Sequence, residues 1–319
     1  MEQRTLGRTR LEVSQLGLGC GGNSRLGMST GGSIPHAADV VRAAFDMGIT
    51  LVDTARVYGT EPAVGLALKG RRRGGVVVSS KSPYLDQGGQ LLTPADFQAH
   101  LDGSLRDLGL DWIDIYFIHG LRLSHYEACR DRFLPVLERA RQAGKVRFIG
   151  LTEAFETDTG HAMLPRALQD PDWDVVMVGF NLLNQTARQR VFDLARVQSA
   201  GTLDMFAVRR SLIDPTWLRI LLERIAAAGE IDPALAQAPD LMEALKLTGV
   251  CQNLSEAAYR FCAYEPGMDV VLSGTGSPVH LRQNIEAVQR GALPQEVVEH
   301  LARLFARVEG FSGQVHPDQ

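Results

Sequence analysis

Eight short apolar runs, near residues 16–19, 49–53, 76–80, 113–118, 146–151, 174–180, 202–207 and 269–273, alternate along the chain with segments of helical periodicity. Buried strands separated by helices read as βαβ units, whose parallel strands are covered on both faces. Eight such units in succession favour a closed (β/α)8 TIM barrel over an open doubly wound sheet. The helical spacing is clearest in Phe97, Leu101, Leu105 and Leu108, and again in Val191, Leu194 and Ala195. A first helix is expected near His36, where Ala37, Val40, Val41 and Ala44 share one face.

Neither a linker nor a composition break interrupts the alternation, so residues 1–319 are read as one domain, a length at which barrels occur. Residues 2–13 alternate short extended pieces around the turn-like Gly7-Arg-Thr-Arg10 and predict a small capping hairpin. After the seventh strand comes a long insertion, residues 211–250, with helices expected from Pro215 to Ala228 and from Pro239 to Leu247. A long excursion from the catalytic face of a barrel is expected to carry function, by covering a cofactor or shaping a substrate pocket.

A hydrophobic content of 45%, a charged content of 22% and a net charge of -4 give no reason to expect a polyanionic partner. A small-molecule ligand is expected instead. The arginine run between Gly70 and Gly74 precedes a strand and reads as a solvated turn at the far end of the barrel, not as a nucleic-acid site. Cys20, Cys129, Cys251 and Cys262 are widely spaced and are expected as free thiols, with neither a disulfide framework nor a metal site. The first residues form no apolar signal segment and no run is long enough to cross a bilayer, so a cytoplasmic protein is expected. Oligomeric state leaves no mark in the sequence.

The chemistry concentrates where three successive strands end. Ile-Thr-Leu-Val closes on Asp53 and opens into a loop carrying Tyr58 and Gly59; Val-Val-Val-Ser-Ser stops at Lys81; Ile-Asp-Ile-Tyr-Phe-Ile stops at His119. In a parallel barrel these ends share one face, where side chains from different strands converge. A carboxylate at the end of a buried strand needs a partner, because an unpaired charge away from water is costly.

In their order and spacing, Asp53, Tyr58, Lys81 and His119 resemble the tetrad of the aldo-keto reductases. The resemblance runs from Leu6-Gly-Arg-Thr-Arg-Leu-Glu-Val-Ser to Ser273-Gly-Thr-Gly-Ser-Pro. It implies a (β/α)8 barrel that binds a nicotinamide cofactor extended, without a Rossmann domain, and interconverts carbonyls and alcohols. Tyr58 is then the expected proton donor to the carbonyl oxygen. Lys81 supplies a charge that favours the phenolate, Asp53 offsets the cost of burying Lys81, and a neutral His119 orients the carbonyl.

The same resemblance assigns cofactor contacts, with departures. Gly19 and Cys20 end the first strand. The fifth ends in Thr152-Glu153 where the family usually has Ser-Asn against the nicotinamide carboxamide, and Met177 stands where Gln is frequent in the sixth. After the seventh strand, Arg209 and Arg210 replace the usual Ser-Pro-Leu and could bind the cofactor pyrophosphate or an acidic substrate. Leu272 to Asn284 resembles the adenosine-phosphate site, with Gly274, Thr275, Ser277, His280, Arg282 and Asn284 as possible ligands and Ser277-Pro278 as a helix start. NADP(H) is favoured, but because Gly274 has no neighbouring Lys and position 280 is His where members that prefer the 2'-phosphate often carry Arg, NAD(H) is possible with modest discrimination.

The leading expectation is an oxidoreductase acting on an aldehyde, ketone or sugar. The alternative is a barrel that binds the cofactor chiefly as a redox-sensing or regulatory subunit. A third reading, an open dinucleotide-binding sheet, uses Gly17, Gly19 and Gly22 as G-x-G-x-x-G, but a long loop follows Gly22 where that motif needs a helix.

Overall fold

The structure is a computed structural model that describes residues 1–315. Strands β1 (Gln3–Leu6) and β2 (Leu11–Ser14) pair antiparallel as a hairpin, with Arg4 opposite Val13. Strands β3 (Leu16–Gly19), β4 (Leu51–Asp53), β5 (Val77–Pro83), β6 (Ile113–Leu121), β7 (Val146–Glu153), β8 (Val175–Val178), β9 (Gly201–Asp204) and β10 (Val270–Ser273) follow. All eight pair parallel and close in the order β10-β3-β4-β5-β6-β7-β8-β9. The closed barrel removes the open-sheet alternative, and Gly22 lies in a turn at φ +68° with no α-helix before Ile34.

Helices α1 (Ile34–Asp46), α2 (Glu61–Leu68), α3 (Pro94–Leu108), α4 (Tyr126–Gln142) and α5 (Met163–Ala167) pack outside the first half. The second half carries α6 (Ala187–Arg190), α7 (Phe192–Val197), α8 (Pro215–Ala227), α9 (Pro233–Ala236), α10 (Leu241–Ala244), α11 (Leu254–Ala263), α12 (Pro278–Gln289) and α13 (Gln295–Leu304). The apolar face predicted for α3 is buried, and the helix is bounded by a Thr93 cap and by Gly109 at φ +63°. Helix α1 begins two residues earlier than expected, because Pro35 is tolerated in a first turn capped by Ser33. Around Val191 the expected helix breaks in two, with Val191 at φ -122°, and Leu194 faces outward. Within the insertion, α8 forms as predicted, but the segment from Pro239 to Leu247 holds only the single turn α10, and the Asp232-capped α9 was not foreseen.

Side chains alternate between the barrel interior and the helical layer. Leu51, Val77, Ile115, Phe117, Val175, Met177, Leu203, Val270 and Leu272 fill the interior. Leu6, Leu11 and Val13 of the hairpin join that cluster and plug the end where the strands begin. Gly7 makes the fit possible: at φ +45°, a Cβ there would come 2.3 Å from the Gly201 backbone nitrogen. With one end sealed, the opposite end is left as the open face of the barrel.

Candidate active site

Asp53 is the last residue of β4 and points inward, and Lys81 lies within β5, two residues before its end, because that strand runs on to Pro83. Lys81 is fully buried and Asp53 is 3% exposed. The ammonium donates to Asp53 Oδ1 at 2.8 Å, to Oδ2 at 2.6 Å and to the Thr54 carbonyl at 2.7 Å. Ser79 Oγ donates to Asp53 Oδ1 at 2.7 Å. Every proton of the buried cation therefore has an acceptor. Burial works against the Lys81 charge, but Asp53 and the neighbouring Tyr58 outweigh it, and the pKa is raised above the ordinary lysine value.

Tyr58 ends a single 3-10 turn, Arg56–Tyr58, closed by Gly59 at φ +71°. Its ring lies 5.0 Å from the Lys81 ammonium. Its hydroxyl sits 3.4 Å from His119 Nε2, and the two rings meet edge to face. Gly21 is a requirement the sequence did not signal: a Cβ there would fall 2.5 Å from the Tyr58 ring. Burial is the largest influence on the Tyr58 phenol and raises its pKa; Lys81 lowers it, Asp53 raises it, and the net direction is upward. Lys81 therefore favours the phenolate but offsets only part of the desolvation, so the net direction is away from neutral pH. Burial, with the Lys81 charge second, pushes His119 down to about 3, so the imidazole is neutral.

Tyr58, His119 and Asp53 open onto a cleft of about 1960 Å³ at the carboxyl ends of the strands. That is roughly twice the upper size of the usual small-ligand pocket of about 1,000 Å³. Gly19, Thr152, Glu153, Met177, Arg209, Arg210, Gly274, Thr275, Ser277, His280 and Asn284 all border it. Cys20 does not: it is fully buried in the helical layer, because alternation along β3 turns Gly17 and Gly19 inward and Leu16, Leu18 and Cys20 outward. Burial raises its thiol pKa.

Several expected contacts are already engaged. Thr152 Oγ1 accepts from the Gly120 backbone at 2.7 Å. Glu153, one residue on, faces the helical layer, where its carboxylate meets His161 Nδ1 at 2.9 Å and accepts from Gly179 N at 2.7 Å. Arg209 pairs with Glu156, and Arg210 lies 4.6 Å over the Trp217 ring. Asn284 donates to Ser273 Oγ at 2.9 Å. Ser277 caps α12 as predicted, accepting from His280 N. Gly276 packs directly on Gly27, where a Cβ would come 2.4 Å from the Gly27 nitrogen, so the loop after β3 covers the loop after β10. Of the insertion, Leu212, Ile213, Pro215, Thr216, Arg219 and the segment from Pro239 to Met242 border the cleft. Among the described residues no group of three or more His, Cys, Asp or Glu side chains is arranged to hold a metal.

A sequence profile described as the Aldo/keto reductase family matches residues 16–305. An aldo-keto reductase of Bacillus subtilis, YhdN, is 28% identical over 313 residues, covering 88% of this chain and 87% of its own. The NADH-specific methylglyoxal reductase of Escherichia coli is 25% identical over 338 residues, covering 95% and 100%. The crystal structure of an aldo/keto reductase from Klebsiella pneumoniae in complex with NADP and acetate superposes with a TM-score of 0.67 at 20% identity, covering 97% of each chain. With the profile spanning nearly the whole barrel, this chain belongs to the aldo/keto reductase family of NAD(P)H-dependent oxidoreductases.

Proposed function

We propose that this enzyme interconverts a small aldehyde, ketone or sugar and its alcohol, with Tyr58 as the acid in reduction and the base in oxidation. The observation that carries the reading is the pair Tyr58 hydroxyl and His119 Nε2, 3.4 Å apart on the cleft wall, with the Lys81–Asp53 pair buried behind them. Both can donate to one carbonyl oxygen. A neutral His119 donates a hydrogen bond without giving up its proton, and Tyr58, held protonated by its raised pKa, gives up its own as negative charge builds on that oxygen. Lys81 then stabilises the phenolate left behind, and Asp53 keeps the lysine charged in a dry site.

The cleft fits a nicotinamide dinucleotide in size and in its polar groups: Arg209, Arg210 and the Ser277-capped start of α12 for the phosphates, and Thr152 and Met177 in the barrel wall for the ring end. When bound, that cofactor supplies or accepts the hydride. NADP(H) is favoured and NAD(H) accepted with modest discrimination. His280, on the first turn of α12, is a basic side chain at the expected adenosine-phosphate site, while the Escherichia coli relative is named as NADH-specific.

The test is a panel of aldehydes, ketones and sugars with each reduced cofactor, followed by loss of nicotinamide absorbance, beside a titration of tryptophan fluorescence. Turnover on any member supports the enzyme. Quenching without turnover across the panel identifies a binding subunit, and no quenching by either cofactor removes both readings.

A further inference from the structure

Arg209 is 7% exposed, yet it borders the cleft. Its guanidinium carbon lies over the Phe206 ring, 3.9 Å from the centroid. Phe206 stacks on Phe155 at 6.0 Å, and Phe155 on His161 at 5.2 Å, the histidine being tied to Glu153. From the other side Gly313 closes on the stem, where a Cβ would come 3.2 Å from Arg209 Cγ, and Ser211 Oγ donates to the Gly313 carbonyl at 2.7 Å. The guanidinium is therefore clamped.

Its anionic partner is treated very differently. Glu156 lies on the loop after β7, and its side chain is 52% exposed against 6% for Arg209. A single nitrogen of Arg209, Nη2, meets that carboxylate, and Nε has no hydrogen-bond partner among the described residues. A buried cation cannot be left without an anion at tolerable cost, whereas a half-exposed carboxylate returns to water cheaply. The fork also has unused capacity, since a guanidinium can take an oxyanion through two nitrogens at once.

We propose that Glu156 is an exchangeable counter-ion, which neutralises Arg209 when no ligand is bound and yields it to an oxyanion of the ligand. This rests on the oxidoreductase reading. The oxyanion is a phosphoryl oxygen of the cofactor or a carboxylate of the substrate. In either case the arginine stays fixed and the glutamate leaves.

The experiment titrates the full-length protein with NADH and NADPH by tryptophan fluorescence, at low and near-physiological ionic strength, for the wild type, Glu156→Gln and Arg209→Gln. Exchange with the cofactor predicts that Glu156→Gln tightens binding about 3- to 10-fold at low salt, because no carboxylate competes, and that Arg209→Gln weakens it at least ~10-fold. Exchange with a substrate carboxylate leaves cofactor affinity unchanged in Glu156→Gln, but lowers KM for succinic semialdehyde and not for butyraldehyde. Weaker cofactor binding in both variants means the pair is a strap that must stay intact over the ligand, and overturns the proposal. So does a Glu156→Gln protein with unaltered affinity and unaltered KM. Because Glu156 is half exposed, that variant decides the matter even if Arg209→Gln fails to fold. No quenching of the wild type by either cofactor would instead overturn the functional reading, and this inference with it.

Discussion

Replacing Lys81 by Met separates the two things this lysine is expected to do. The wild-type ammonium is fully buried and makes three short hydrogen bonds, two to Asp53 and one to Thr54. Methionine is unbranched and nearly as long but supplies no charge, so Asp53, 3% exposed, keeps only the 2.7 Å bond from Ser79 Oγ. Breaking a buried ion pair from one side costs about 3–5 kcal/mol, because the surviving charge is uncompensated. Urea unfolding followed through Trp112, Trp173 and Trp217 should register a loss of that size. Turnover should fall at least ~100-fold, since nothing then opposes the burial that raises the Tyr58 pKa. The double variant Lys81→Met/Asp53→Leu tests the division, because replacing both members of a buried pair by apolar groups is often neutral or stabilising. It should recover most of the stability and none of the activity. A single variant as stable and as active as the wild type would refute the pairing as the source of either effect.

Tyr58→Phe should lower turnover at least ~100-fold while leaving the cofactor dissociation constant nearly unchanged; near-normal turnover would remove Tyr58 as the acid. Asp204, buried against Phe180, Phe206 and Cys262 in the helical layer, is pushed up to about 7 by burial. It holds a proton that the unfolded chain releases above pH ~4, so the stability it lends is full below that pH and is lost as pH rises through 7. Asp204→Asn should therefore be more stable than the wild type at pH 8 by roughly 2–4 kcal/mol, with the difference vanishing toward pH 4; a gap independent of pH contradicts this. His280→Arg should strengthen NADPH binding more than NADH binding, by placing a full charge on the first turn of α12. Equal changes in the two dissociation constants would show that position 280 does not face the 2'-phosphate.

The barrel, the hairpin and the capped starts of α3 and α12 follow from local features: alternating apolar runs, Thr and Ser caps, and glycines at helix ends. Asp53, Lys81 and His119 could be found because each closes or follows an apolar run, and Tyr58, on the turn beyond the strand end, because it completes the tetrad that the four residues resemble. Period alone also carried information that the family resemblance obscured. Along β3, Cys20 has the parity of Leu16 and Leu18, and along β7, Glu153 has the parity of Ile149 and Leu151; both therefore face the helical layer. What the sequence by itself determined was thus residue type, order and the parity along each strand, while the structure showed which parity faces the interior.

Only the closed structure decided the energetic outcome at each site. Whether burial or Lys81 dominates at Tyr58 depends on how much protein surrounds the phenol, which no local pattern reports. The sealing of the barrel by Leu6, Leu11 and Val13, the fit of Gly21 beneath the Tyr58 ring and the closure of Gly27 on Gly276 are contacts between distant segments. The pairing of Arg209 with Glu156 joins loops 53 residues apart. Such contacts exist because eight strands close on one another and bring their carboxyl ends together, and desolvation and charge pairing at those ends are properties of that enclosure, not of any one segment.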